Sequence, residues 1–116
     1  MKHNLTAALV ISALTFAGGS MVAYAGGHID EAIKHAEDAA THGKAGHAKV
    51  LVEHDKAALK HAEAADKKAK GTEKQHLDEA ITHLKEGVKQ GEAGHADVAT
   101  QHTNEGITHL KAAEDK

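Results

Sequence analysis

The chain has 116 residues, 27% charged and only 2% aromatic, with a formal net charge of −3 and no Cys, Trp or Pro. It lacks the basic surface and aromatic platforms that nucleic-acid binding ordinarily uses, and without Cys it can form neither disulfides nor thiolate metal centres. Its 12 His are out of proportion to the rest of the composition.

In chain order, Lys2 precedes an apolar run from Leu5 to Ala17, followed by Gly18 and Gly19 and then Ala23-Tyr24-Ala25. That order is the n-region, h-region and A-x-A cleavage site of a secretory signal peptide. It predicts residues 1–25 as a leader cut after Ala25 and residues 26–116 as the exported product. No other apolar stretch there is long enough to span a bilayer, so no stable membrane insertion is expected after cleavage. Loss of the leader removes Phe16, Met21, Tyr24, Lys2 and His3, which leaves a chain of Ala, Lys, acidic residues and His with few large aliphatics. A core so thin should be marginal, and a bound ion could reinforce it.

The product is two copies of one unit. His28-Ile29-Asp30-Glu31-Ala32-Ile33 recurs 48 positions on as His76-Leu77-Asp78-Glu79-Ala80-Ile81, and Ala45-Gly46-His47-Ala48 recurs as Ala93-Gly94-His95-Ala96. Apolar residues at steps of three and four predict helices over residues 29–42, 47–69, 73–90 and 95–113. In each unit a Gly pair, Gly43 with Gly46 and Gly91 with Gly94, is expected to end one helix and turn the chain into the next. Thr72 and Gln75 have the spacing of a capping box that would start the third helix. The expected fold is all-α, an up-down antiparallel four-helix bundle built from two duplicated αα-hairpins.

The His fall every seven residues: His28, His35 and His42; His47, His54 and His61; His76 and His83; His95, His102 and His109. Gln90 stands where a twelfth helical position would complete the pattern. Residues seven apart share a helix face but lie ~10.5 Å apart along it. Two ligand nitrogens on one ion are only about 3 Å apart, given bonds of ~2.0–2.1 Å. The second ligand must therefore come from the neighbouring helix. Antiparallel pairing sets His42 beside His47, His35 beside His54 and His28 beside His61, then Gln90 beside His95, His83 beside His102 and His76 beside His109. Carboxylates interleave at steps of three and four: Glu31 and Asp38 on the first helix, Glu79 and Glu86 on the third, and Glu105 on the fourth. These His and carboxylates are the candidate metal ligands, with two His and one or two carboxylate or water ligands expected per ion. Imidazole with carboxylate suits several divalent ions per chain, Cu(II) first by the Irving–Williams order, then Ni(II), Zn(II) and Co(II).

The H-x-D-E-A-x-x-H openings at His28 to His35 and His76 to His83, the H-G-K-x-G-H turn at His42 to His47, and the seven-residue His repeat together resemble the small metal-binding proteins of bacterial periplasms. The resemblance spans essentially residues 26–116. It implies a monomeric four-helix bundle that binds several copper and other divalent ions in the periplasm and buffers or sequesters them. No catalytic cluster stands out and no haem-attachment motif is present, so the expectation is binding without catalysis. The alternative is a pH-responsive helical protein, because so many imidazoles gain charge together on mild acidification.

Overall fold

The computed structural model describes residues 25–115; the expected leader lies, but for Ala25, outside them. Among the described residues there are four helices and no strand: α1 (Ala25–Lys44), α2 (Ala48–Lys68), α3 (Gly71–Glu92) and α4 (Ala96–Glu114). None of these helices is long and apolar enough to cross a membrane. Two antiparallel hairpins, α1–α2 and α3–α4, pack with α1 on α4 and α2 on α3, which closes the four-helix bundle expected from the repeat.

The two glycines of each pair have separate roles. Gly46 and Gly94 take φ of +85°, a left-handed turn that favours Gly. Around the first turn Gly46 N–H bonds the Gly43 carbonyl (2.9 Å) and His47 N–H reaches back to the His42 carbonyl (2.9 Å); around the second, His95 N–H reaches the Gln90 carbonyl (2.9 Å). These are the reverse bonds of a Schellman stop. Gly43 and Gly91 instead lie inside α1 and α3, buried against neighbouring helices. A Cβ at Gly43 would collide with the Thr100 hydroxyl of α4 and meet Leu51 Cδ1 at 2.6 Å, and one at Gly91 would meet Val52 Cγ2 at 2.6 Å. Helical glycine costs ~1 kcal/mol against Ala, and here the missing side chain lets α2 approach at both positions and α4 at Gly43.

The capping box does not form. α3 begins at Gly71 with Lys70 as its N-cap and no side-chain capping bond, so Thr72 already lies in the first turn, past the position from which its hydroxyl could cap. The α2–α3 connection is tied by Lys74 instead, whose Nζ lies 3.0 Å from Asp66 and 3.7 Å from Asp78.

Apolar burial is split in two. The larger cluster includes Ile29, Ile33, Leu77, Leu84 and Leu110 with many Ala, and the smaller joins Ala39, Leu51, Val52 and Ala99. Along the helices the division falls at Asp55 and Thr103, both fully buried. Small side chains let the helices approach closely, and that closeness sets the spacing of the His rows on each hairpin.

Candidate metal centres

A seven-residue step keeps each His row on one helix face, and the Schellman turn fixes the two rows of a hairpin against each other. All six expected pairs are adjacent. His28 Nδ1 is 3.1 Å from His61 Nδ1 and His95 Nδ1 is 3.0 Å from Gln90 Oε1. Ring centroids are 6.0 Å apart for His35 and His54, 5.8 Å for His42 and His47, 5.9 Å for His76 and His109, and 5.8 Å for His83 and His102.

The rings also meet diagonally. His35 stacks on His61 (5.7 Å, 8° between planes), His42 on His54 (5.5 Å, 5°) and His83 on His109 (5.5 Å, 7°). Side chains on a helix lean toward its N-terminus, so the rows of two antiparallel helices shift in opposite directions and interdigitate. The result is a continuous zigzag, His28–His61–His35–His54–His42–His47 on one hairpin and His76–His109–His83–His102 on the other. Among the described residues every such ring pair lies within a hairpin.

Three groups bring three ligand atoms within 4.8 Å of one another: Glu31, His35 and His61; Glu79, His83 and His109; and His83, His102 and Glu105. The first two are repeat equivalents and use the diagonal His pair. The third uses the lateral pair and has no equivalent, because Ala57 stands on α2 where Glu105 stands on α4. Glu105 Oε1 lies 3.0 Å from His83 Nδ1 and 3.9 Å from His102 Nδ1, and Glu79 Oε1 lies 3.7 Å from His109 Nε2.

Burial, the largest cause, holds His35, His54 and His61 below the ordinary imidazole range. Neighbouring imidazoles push in the same direction, while Glu31 raises His35 and His61 and Asp38 raises His35 and His54. These rings stay neutral near pH 7, the form that donates a lone pair to a metal. His35 Nδ1 and His102 Nδ1 are buried without a hydrogen-bond partner, and coordination to an ion would satisfy a lone pair left there.

Asp38 and Glu86 do not join a group of three among the described residues, and the heptad shows why. Seven residues along from Glu31, His35 and His61, the corresponding trio is Asp38, His42 and His54, whose carboxylate is one methylene shorter. The corresponding trio after Glu79, His83 and His109 is Glu86, Gln90 and His102, in which an amide replaces the imidazole; Glu86 pairs with Lys89 at 3.9 Å. His28, His42, His47, His54, His76 and His95 have a ring or amide neighbour but no third donor within that distance. Asp38→Glu and Gln90→His are each expected to add one bound ion per chain, read as a change of one in the stoichiometry of a Zn(II) titration.

A buried pair away from the ladders escaped the sequence reading. Asp55 accepts a hydrogen bond from the Thr103 hydroxyl at 2.6 Å and leaves Oδ1 unpartnered. Burial pushes its carboxyl up to about 7, against the downward pull of the Thr103 bond. The available signal was helical spacing, since Leu51, Asp55, Ala58 and Ala62 fall on one stripe. Asp55 and Thr103 are also 48 apart, so equivalent positions of the two repeats face each other at the bundle centre.

No curated protein sequence matches the chain. The family model for small metal-binding proteins matches residues 2–113, nearly its whole length. With two His ladders, each bringing carboxylates to paired imidazoles, and that match along the sequence, the chain belongs to the small metal-binding protein family.

Proposed function

We propose that the protein is an exported, periplasmic buffer or carrier of divalent transition-metal ions, monomeric and without catalysis, which holds several ions per chain on its His ladders. The observation that carries this is the convergence of Glu31, His35 and His61, repeated 48 residues on by Glu79, His83 and His109. A convergence that recurs in both hairpins, with the orphaned Nδ1 of His35 in the first copy, fits a metal better than it fits a solvated polar face. Neutral imidazoles with carboxylates and no sulfur favour Cu(II), and admit Ni(II), Zn(II) and Co(II).

Calorimetric titration with Cu(II), with mass spectrometry for the count, tests the proposal, and at least two ions per chain at micromolar free metal are expected. A stricter test is the double-mutant cycle of His35→Ala and His61→Ala. If both rings hold one ion, each single variant loses most of its binding there and the double loses little more. Additive losses at that ion would show that the rings act separately, and a count of one ion or none would remove the function. The pH-responsive alternative predicts a change in helicity between pH 7 and 5 in chelator, which circular dichroism would detect.

A further inference from the structure

The two hairpins are not equivalent, although their sequences repeat. On α1–α2 one group of three donors is assembled; on α3–α4 there are two, and His83 belongs to both. Its ring lies 5.5 Å from His109 on one side and 5.8 Å from His102 on the other. Glu79 stands beside His109 at 3.7 Å, and Glu105 beside His83 itself at 3.0 Å. A neutral imidazole carries a proton on one nitrogen and a lone pair on the other, so it serves one ion at a time. Two divalent ions on either side of one ring would also repel each other within the screening length, ~8 Å at physiological ionic strength.

We infer that the two three-donor groups of the α3–α4 hairpin are overlapping places for a single ion, sharing His83, so that filling one closes the other, whereas the one three-donor group of α1–α2 is a fixed place. This rests on the metal-binding function proposed above. It adds that the ion exchanges between the donor sets His109–Glu79 and His102–Glu105 with His83 as the constant ligand, moving along the ladder without leaving the protein. Ala57 is why the first hairpin cannot do the same: the helix-equivalent of Glu105 has no carboxylate there.

The test uses the full chain with Zn(II) alone as probe, stoichiometry from calorimetric titration and His ring-nitrogen signals from NMR. The side chains of Glu79 and Glu105 are 59% and 58% exposed, so Gln at either leaves the bundle intact. Glu79→Gln and Glu105→Gln should each keep the parent number of ions. Each should bind only about twofold more weakly, the statistical loss of one of two equal places. In Glu79→Gln the His109 signals should stop responding to Zn(II), and in Glu105→Gln those of His102. The double variant, and His83→Ala, should each lose one ion. Ala57→Glu should leave the ion count unchanged while drawing His54 into the response. Loss of one ion from each single Glu variant would show two independent sites and overturn the inference, as would an unchanged count in His83→Ala. His35→Ala is the control for the underlying function: it should remove one ion and leave the His83 response intact. A parent chain that binds no Zn(II) fails the metal reading itself and the inference with it.

Discussion

Saturation with Cu(II) is expected to raise the melting temperature of this protein by about 15 °C or more, and a chelator to reverse the rise. One site filled at a thousandfold excess over Kd stabilises the folded state by ~4 kcal/mol, and domains of 60–100 residues gain ~4–8 °C per kcal/mol. The effect should be large here because the core is poor in large side chains. Ile29, Leu51, Leu77, Leu84 and Leu110 are the only fully buried large aliphatics among the described residues, and Ala supplies most of the remainder. An ion bound by Glu31, His35 and His61 clamps α1 to α2, and one at His83 clamps α3 to α4. The double variant His35→Ala/His83→Ala should therefore lose most of the rise while its metal-free melting point changes little.

The rise should also fade with acid. His35, His54 and His61 have lowered values in the fold and the ordinary 6.5 when unfolded. Their contribution to stability is thus present above pH 6.5 and lost as pH falls through the folded values, and protons displace the ion over the same range. Scanning calorimetry at pH 7.5 and 5.5, with and without Cu(II), checks both parts. An unchanged melting point in a chain that binds Cu(II) would mean that the unfolded chain binds it equally well.

Much of this architecture is written in the sequence because helical periodicity and duplication are both local signals. The four helices follow from apolar steps of three and four, and the lateral His pairs from a turn whose length sets the register at Gly46 and Gly94. What the sequence left open depends on the partner helix. Gly43 and Gly91 read as helix stops, yet their burial against Thr100, Leu51 and Val52 is decided by how closely α2 and α4 pack. Thr72 reads as a cap, but helix α3 starts one residue before it. Membership of the ladders was legible, whereas which three donors converge was not. That depends on the opposite lean of two antiparallel rows, which turns His35 toward His61 as much as toward His54. Asp55 was hidden by its type, since an acidic residue on a charged helix reads as solvated until the facing Thr103 is seen.

Asp55→Asn is expected to reverse its effect on stability with pH, destabilising near pH 4 and stabilising at pH 7–8. The Asp55 carboxyl titrates at about 7 in the fold against 3.8 in its absence. Such a raised group supports the fold fully below pH 3.8, where it is neutral in both states, and the support is lost as pH rises through the folded value. A displacement of that size corresponds to ~4 kcal/mol, so near neutral pH the parent carries a burden of that order which an amide does not. Asn keeps an oxygen to accept the Thr103 hydroxyl but brings an N–H₂ group to the place where Asp55 Oδ1 has no partner. Leaving that group unsatisfied costs ~1–3 kcal/mol at any pH. The difference is a gain of about 2 kcal/mol at pH 7–8 and a loss of similar size at pH 4. Because the parent and the variant share all their His, the imidazole contributions cancel when their stabilities are subtracted at each pH. Urea unfolding of both proteins in chelator from pH 4 to 8 measures that difference. A gap that stays constant across the range would mean that Asp55 is ionised in the fold throughout, and that the centre of the bundle is wetter than its closed packing implies.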